Sequence, residues 1–119
     1  MKKQFLLILI SLFWASFAFG QLQGLVEVNP TDPVYPTLSA AIDSLNNQGV
    51  GDGGVTITVA PGNPQTAPAG GYVITASGDI SKQIIIDGND NIVTAFSPQD
   101  EGKINDAIFK IIGGDWITI

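Results

Sequence analysis

"YPTLSAAIDSLNNQGVGDGGVTITVAPG", residues 35 to 62, changes period halfway along. Leu38, Ala41, Ile42 and Leu45 recur at i, i+3, i+4 and i+7, which is one apolar stripe on a helix. Pro30, Pro33 and Pro36 hold the preceding backbone extended, so no helix starts before Thr37. The Thr37 hydroxyl then stands where an N-cap accepts an orphan backbone N–H. Gly49 can take the left-handed conformation that ends the helix. From Val50 the period drops to two, and Val55, Ile57 and Val59 alternate with Thr56 and Thr58 as in a half-buried strand. One helix therefore precedes a run of strands.

The strands continue downstream. "PGNPQTAPAGG" (61 to 71) is too rich in Pro and Gly for regular structure, and "YVIT" (72 to 75) follows it as a strand. "IIID" (84 to 87) and "IVT" (92 to 94) flank the turn "GNDN"; "AIFKII" (107 to 112) and "WITI" (116 to 119) flank "GGD". First members centre on Ile57, Ile85 and Phe109, and second members on Val73, Val93 and Ile117. Recurrence every 20 to 30 residues is the mark of stacked coils. The expected class is all-β: the first coils of a right-handed parallel β-helix, residues 37–119. Thr37, Leu38, Ala41, Ile42 and Leu45 would form an N-terminal capping α-helix over the open bore. A meander of antiparallel hairpins is the competing arrangement; it suits the short turns but predicts no regular step.

The ends bound the compartment. Lys2 and Lys3 precede the apolar run "FLLILISLF" (5 to 13), and Ala18 and Gly20 offer small residues before Gln21. Residues 1–20 thus read as a secretory signal peptide, too short in its apolar part for a bilayer-spanning anchor. An extended lead-in (21–36) follows. The chain is expected to be secreted or displayed at the cell surface, with no membrane attachment after cleavage. "DWITI" ends on alternating apolar residues with an unpaired edge, so the sequence is expected to be a fragment of a longer solenoid.

Composition narrows the chemistry. Residues 21–119 hold three lysines against eleven acidic residues, net −8, which disfavours nucleic acid and anionic membranes as partners. Cysteine, histidine and arginine are absent. That removes an imidazole base for a Ser or Cys nucleophile, the usual zinc ligands, and a two-pronged guanidinium clamp. Carboxylates, lysines, hydroxyls and amides remain.

"YPTLSAAIDSLN" with "VTITVAPG", and "DAIFKIIGGDWITI" further on, resemble the cap, first strand and a later coil of pectin-lyase-like right-handed β-helix proteins. Behind this leader the combination is most similar to secreted Bacteroidetes β-helix proteins carrying a type IX sorting domain. The resemblance spans residues 33 to 119 and implies a fold, not an activity. Pectate lyases of that superfamily use a catalytic Arg or Lys with calcium-holding carboxylates, and pectin methylesterases use paired Asp with Arg. Neither pattern occurs here, so no catalytic residue is carried over.

Three local features have a chemical reading beside a structural one. Asp87, Asn89 and Asn91 begin like a calcium loop, but Ile92 and Pro98 stand where an EF-hand needs Gly and Glu; the same residues suit a tight turn. Asp100, Glu101 and Asp106 with Lys103 could supply an acid–base pair for glycoside cleavage, or simply a solvated loop. Trp116 and Tyr72 could stack on sugar rings, or pack in a core. The expected function is a non-catalytic structural or binding segment, for adhesion or glycan binding, with no cofactor. Its partners would be extracellular polysaccharide or a surface protein. The alternative is the N-terminal part of a polysaccharide lyase or glycoside hydrolase whose active site lies beyond residue 119.

Overall fold

A computed structural model describes residues 20–98 and 107–119. All of the leader but its last residue, Gly20, and the Asp100, Glu101, Lys103 and Asp106 cluster lie outside the described residues. In chain order the elements are β1 (Leu22–Val28), α1 (Leu38–Gln48), β2 (Val50–Val59), β3 (Gln65–Thr66), β4 (Tyr72–Ile74), β5 (Ile84–Asp87), β6 (Val93–Thr94), β7 (Phe109–Ile111) and β8 (Ile117–Thr118).

Pairing between these strands is parallel throughout. One sheet runs β1-β2-β5-β8, and β3-β6 and β4-β7 form two small sheets of their own. Side chains alternate over Leu25–Val28, Val55–Val59 and Ile84–Asp87 of the larger sheet, while the start of β1 carries a register shift against β2. Val26, Ile57 and Ile86 share one buried row, Val55 and Ile84 a second, and Val28 and Val59 a third. Tyr72 and Ile74 of β4 close the same core from another side, with Phe109 tilted against Tyr72 at 5.1 Å between ring centroids.

The helix forms as its stripe dictates. Leu38, Ala41, Ile42 and Leu45 are buried, and the helix packs on β1, β2 and β4. Thr37 Oγ1 accepts from the Ala40 N–H at 3.2 Å. Gly49 ends the helix at φ 75, ψ 178, a region essentially reserved for glycine, with its N–H donating to the Leu45 carbonyl at 2.8 Å.

This topology corrects the expected fold. The described residues make a small domain of short parallel sheets with one helix, and no β-helix or solenoid repeat is evident in them. Stacked coils would set the strand centres Ile57, Ile85 and Phe109 in one column, and they do not align. Ile57 aligns with Ile86, whereas Ile85 aligns with Thr56 on the opposite face. Phe109 aligns with Tyr72 in a different sheet, Val73 with Lys110, Val93 with Gln65, and Ile117 with Ile84. Strand centres counted along the sequence ignore parity, and a shift of one residue moves a side chain from core to solvent. Two strands were also missed: β1, inside the proline-bounded lead-in, and β3, inside the Pro/Gly loop.

Candidate functional site

The outer face of the β1-β2-β5-β8 sheet carries an in-register row running across the strands: Leu25, Thr56, Ile85 and Thr118. Leu25 is 72% exposed and Ile85 36%. Beside it runs a second row, Glu27, Thr58 and Asp87. Both rows follow from the alternation that buries Val55, Ile57 and Val59, because every second residue must then face outward.

Two adjoining depressions flank the first row. The larger, 580 Å³, is lined by Trp116, Asp115, Gln83, Ile117 and Thr118. The smaller, 240 Å³, is lined by residues that include Gly54, Thr56, Ile80, Ser81, Gln83 and Ile85. The two depressions together are called the trough, and Gln83 lines both. Its backbone is fixed by the Val55 N–H, which donates to the Gln83 carbonyl at 2.9 Å. Gly54, at φ 83, makes that approach feasible, since a Cβ there would lie 2.5 Å from the Gln83 oxygen.

Trp116 is the unusual member. It is 50% exposed and sits at φ 59, the left-handed region that a bulky residue rarely enters. Three backbone contacts hold it there. The Trp116 carbonyl accepts from the Ile84 N–H at 2.9 Å, the Asp115 carbonyl from the Gly78 N–H at 3.0 Å, and the Asp115 N–H donates to Ser77 Oγ at 3.1 Å. Gly78 lies directly under the Trp116 Cβ, where an added side chain would collide with the Lys82 carbonyl.

The electrostatics of this side are acidic. Lys82 Nζ is ion-paired with Asp52 at 3.4 Å. Asp79 Oδ1 accepts from both the hydroxyl and the N–H of Ser81 at 2.8 Å. The Ser81 hydroxyl bond, then its N–H, with Lys82 adding, holds the Asp79 carboxyl below the usual carboxylate range. Asp32, in the β1–α1 turn, is lowered likewise by the N–H groups of Tyr35 and Val34.

Asp87, Asn89 and Asn91 all take part in hydrogen bonds of their turn. Asp87 Oδ1 accepts from the Asn89 N–H at 2.8 Å, and Asn91 Oδ1 from the Asn63 N–H at 2.7 Å. The Asn89 and Asn91 amides donate to the Val59 and Ala60 carbonyls, each at 3.0 Å. These three stitch one turn onto its neighbour. Among the described residues no group of three or more acidic, His or Cys side chains could hold a metal ion. Of the two aromatic residues considered for sugar stacking, Tyr72 is core, 2% exposed, and burial pushes its phenol above the ordinary value; Trp116 faces solvent.

Several polar side chains with structural roles escaped the sequence reading. Gln65 is buried, accepts from the Leu38 N–H at 3.0 Å, and so caps the helix beside Thr37. Asn46 donates to the Val73 carbonyl at 2.7 Å and accepts from the Thr75 and Ala76 N–H groups. Their signal was weak: polar residues at positions whose neighbours are decided by folding. Gln83 of the trough carried no signal at all.

Among the described residues no helix is long and apolar enough to cross a membrane. No protein-family model, curated protein or solved structure matches this chain.

Proposed function

We propose that this chain is a non-catalytic binding segment of an exported protein, and that it holds extracellular polysaccharide against the outer face of its larger sheet. The observation carrying the reading is Trp116, a half-exposed indole at φ 59 beside Gln83 and Asp115. Strained backbone at a bulky residue persists only where its surroundings over-determine it, and such positions cluster at ligand sites. An indole offers a sugar ring a broad apolar face, while the amide and carboxylate beside it can meet the ring hydroxyls. Export is supported by the n-region, apolar run and small-residue boundary of residues 1–20.

The test uses the full chain, expressed with its own leader and recovered from outside the cell. The recovered protein is expected to be retained on insoluble polysaccharide, and Trp116→Ala to lower that retention. Release of soluble oligosaccharide by the purified protein would overturn the non-catalytic reading. Retention unaffected by Trp116→Ala would remove the site.

A further inference from the structure

Resting on that reading, we infer that the Trp116–Gln83 trough takes a neutral glycan chain lying across the strands, and rejects uronic-acid polymers. Geometry sets the direction. Leu25, Thr56, Ile85 and Thr118 alternate apolar and hydroxyl groups from one strand to the next. Adjacent strands stand about 4.8 Å apart, so the row extends roughly 14 Å, long enough for a few linked sugar rings. A chain laid along it meets Trp116 at one end, Gln83 in the middle and Thr56 with Ser81 beyond. Apolar ring faces and hydroxyl edges both find partners on such a row.

Charge sets the class. Asp115 lines the trough, and Asp79 stands behind Ser81. Glu27 and Asp87 occupy the parallel row on the same face. Lys82, next to Gln83 in the chain, is ion-paired with Asp52. A carboxylated sugar would meet like charge at Asp115 in the trough and at Asp79, Glu27 and Asp87 around it, and like-charge juxtaposition suppresses wrong partners. Hydroxyl groups instead donate to carboxylate oxygens, which in ionised form only accept.

The experiment titrates the full chain carrying Trp14→Phe, so that Trp116 is the sole tryptophan whether or not the leader has been removed. Indole fluorescence is followed against neutral β-glucan oligosaccharides, and against oligogalacturonate and alginate of matched length. Neutral chains are expected to shift the emission. Trp116→Ala, followed by affinity electrophoresis, is expected to weaken binding by roughly tenfold or more, as truncating an aromatic anchor does. Trp116→Tyr should keep most of the affinity, and Gln83→Ala should lose part of it with an unchanged thermal midpoint. Acidic chains should bind at least about tenfold more weakly at low salt, with the gap closing as salt rises. Equal or tighter binding of the acidic chains overturns the neutral-glycan inference while leaving a glycan-binding protein. Failure of both classes to bind overturns the inference and the reading beneath it.

Discussion

The two faces of the β1-β2-β5-β8 sheet are built from the same strands and do opposite work. Inward, Val26, Val28, Val55, Ile57, Val59, Ile84 and Ile86 are buried against α1 and β4. Outward, Leu25, Thr56, Ile85 and Thr118 stand in register with one another and meet water. Ile85 and Ile86 differ by one position in a run of three isoleucines, yet one lines an open trough and the other is core. Residue type alone does not separate them; the pleat does. Stability is concentrated on one face, which leaves the other free for contact.

The largest expected effect tests that division directly. Ile57→Ala should lower unfolding free energy by about 2–5 kcal/mol, because it opens a cavity in a site that cannot collapse. Ile85→Ala should cost less than about 1 kcal/mol, as exposed substitutions do. Urea unfolding of both variants checks the pair. Equal costs would mean that the two faces are not distinct.

A second contrast lies within α1. Asn46 is off the apolar stripe but anchors the helix to the backbone after β4, whereas Asp43 is exposed and makes no such contact in the observed bonding of that end. Asn46→Ala leaves the Val73 carbonyl and two N–H groups without their partner and should cost about 1–3 kcal/mol. Asp43→Ala should stay within about 0.5 kcal/mol. Thermal midpoints measured side by side would sharpen the distinction between the helix's packed and solvated faces.

The smallest effect depends on pH. Burial raises the Tyr72 phenol in the folded state, since the charged form is disfavoured there. The unfolded chain therefore releases this proton first, near pH 10. The contribution of the neutral phenol is fully present below that value and is lost as pH rises through the folded one. The urea midpoint of the parent should fall between pH 9 and about 11, and that of Tyr72→Phe should fall less. Parallel declines in the two proteins would show that Tyr72 is not part of the core that the inner face builds.

Some of this molecule was legible in its sequence. Leu38, Ala41, Ile42 and Leu45 are the buried stripe of α1, Thr37 is its N-cap, and β5 occupies the four residues "IIID". Local alternation also marked the core of β2. The polar side chains that fasten the turns were not legible. Asn63 and Asn91 bond across 28 residues, and Gln65 reaches the helix start across 27. An amide's partner is chosen by whichever backbone folding brings near, and no local period records that choice.

The chain by itself determined periodicity: where the helix runs, which strand residues can share a face, and which residue types its chemistry must do without. These are consequences of 3.6-residue and two-residue geometry acting within a short window. Tertiary structure alone decided which strands pair and in what register. It placed β1 and β3 in sheets that the prolines and glycines around them concealed, and it set Phe109 on Tyr72 rather than below Ile85. It also brought Gln83, Trp116 and Thr56 to one trough, though β3 and β4 separate Thr56 from Gln83 along the chain, and β5, β6 and β7 separate Gln83 from Trp116. Pairing depends on burying the inward side chains of every strand at once, a condition that no single segment contains.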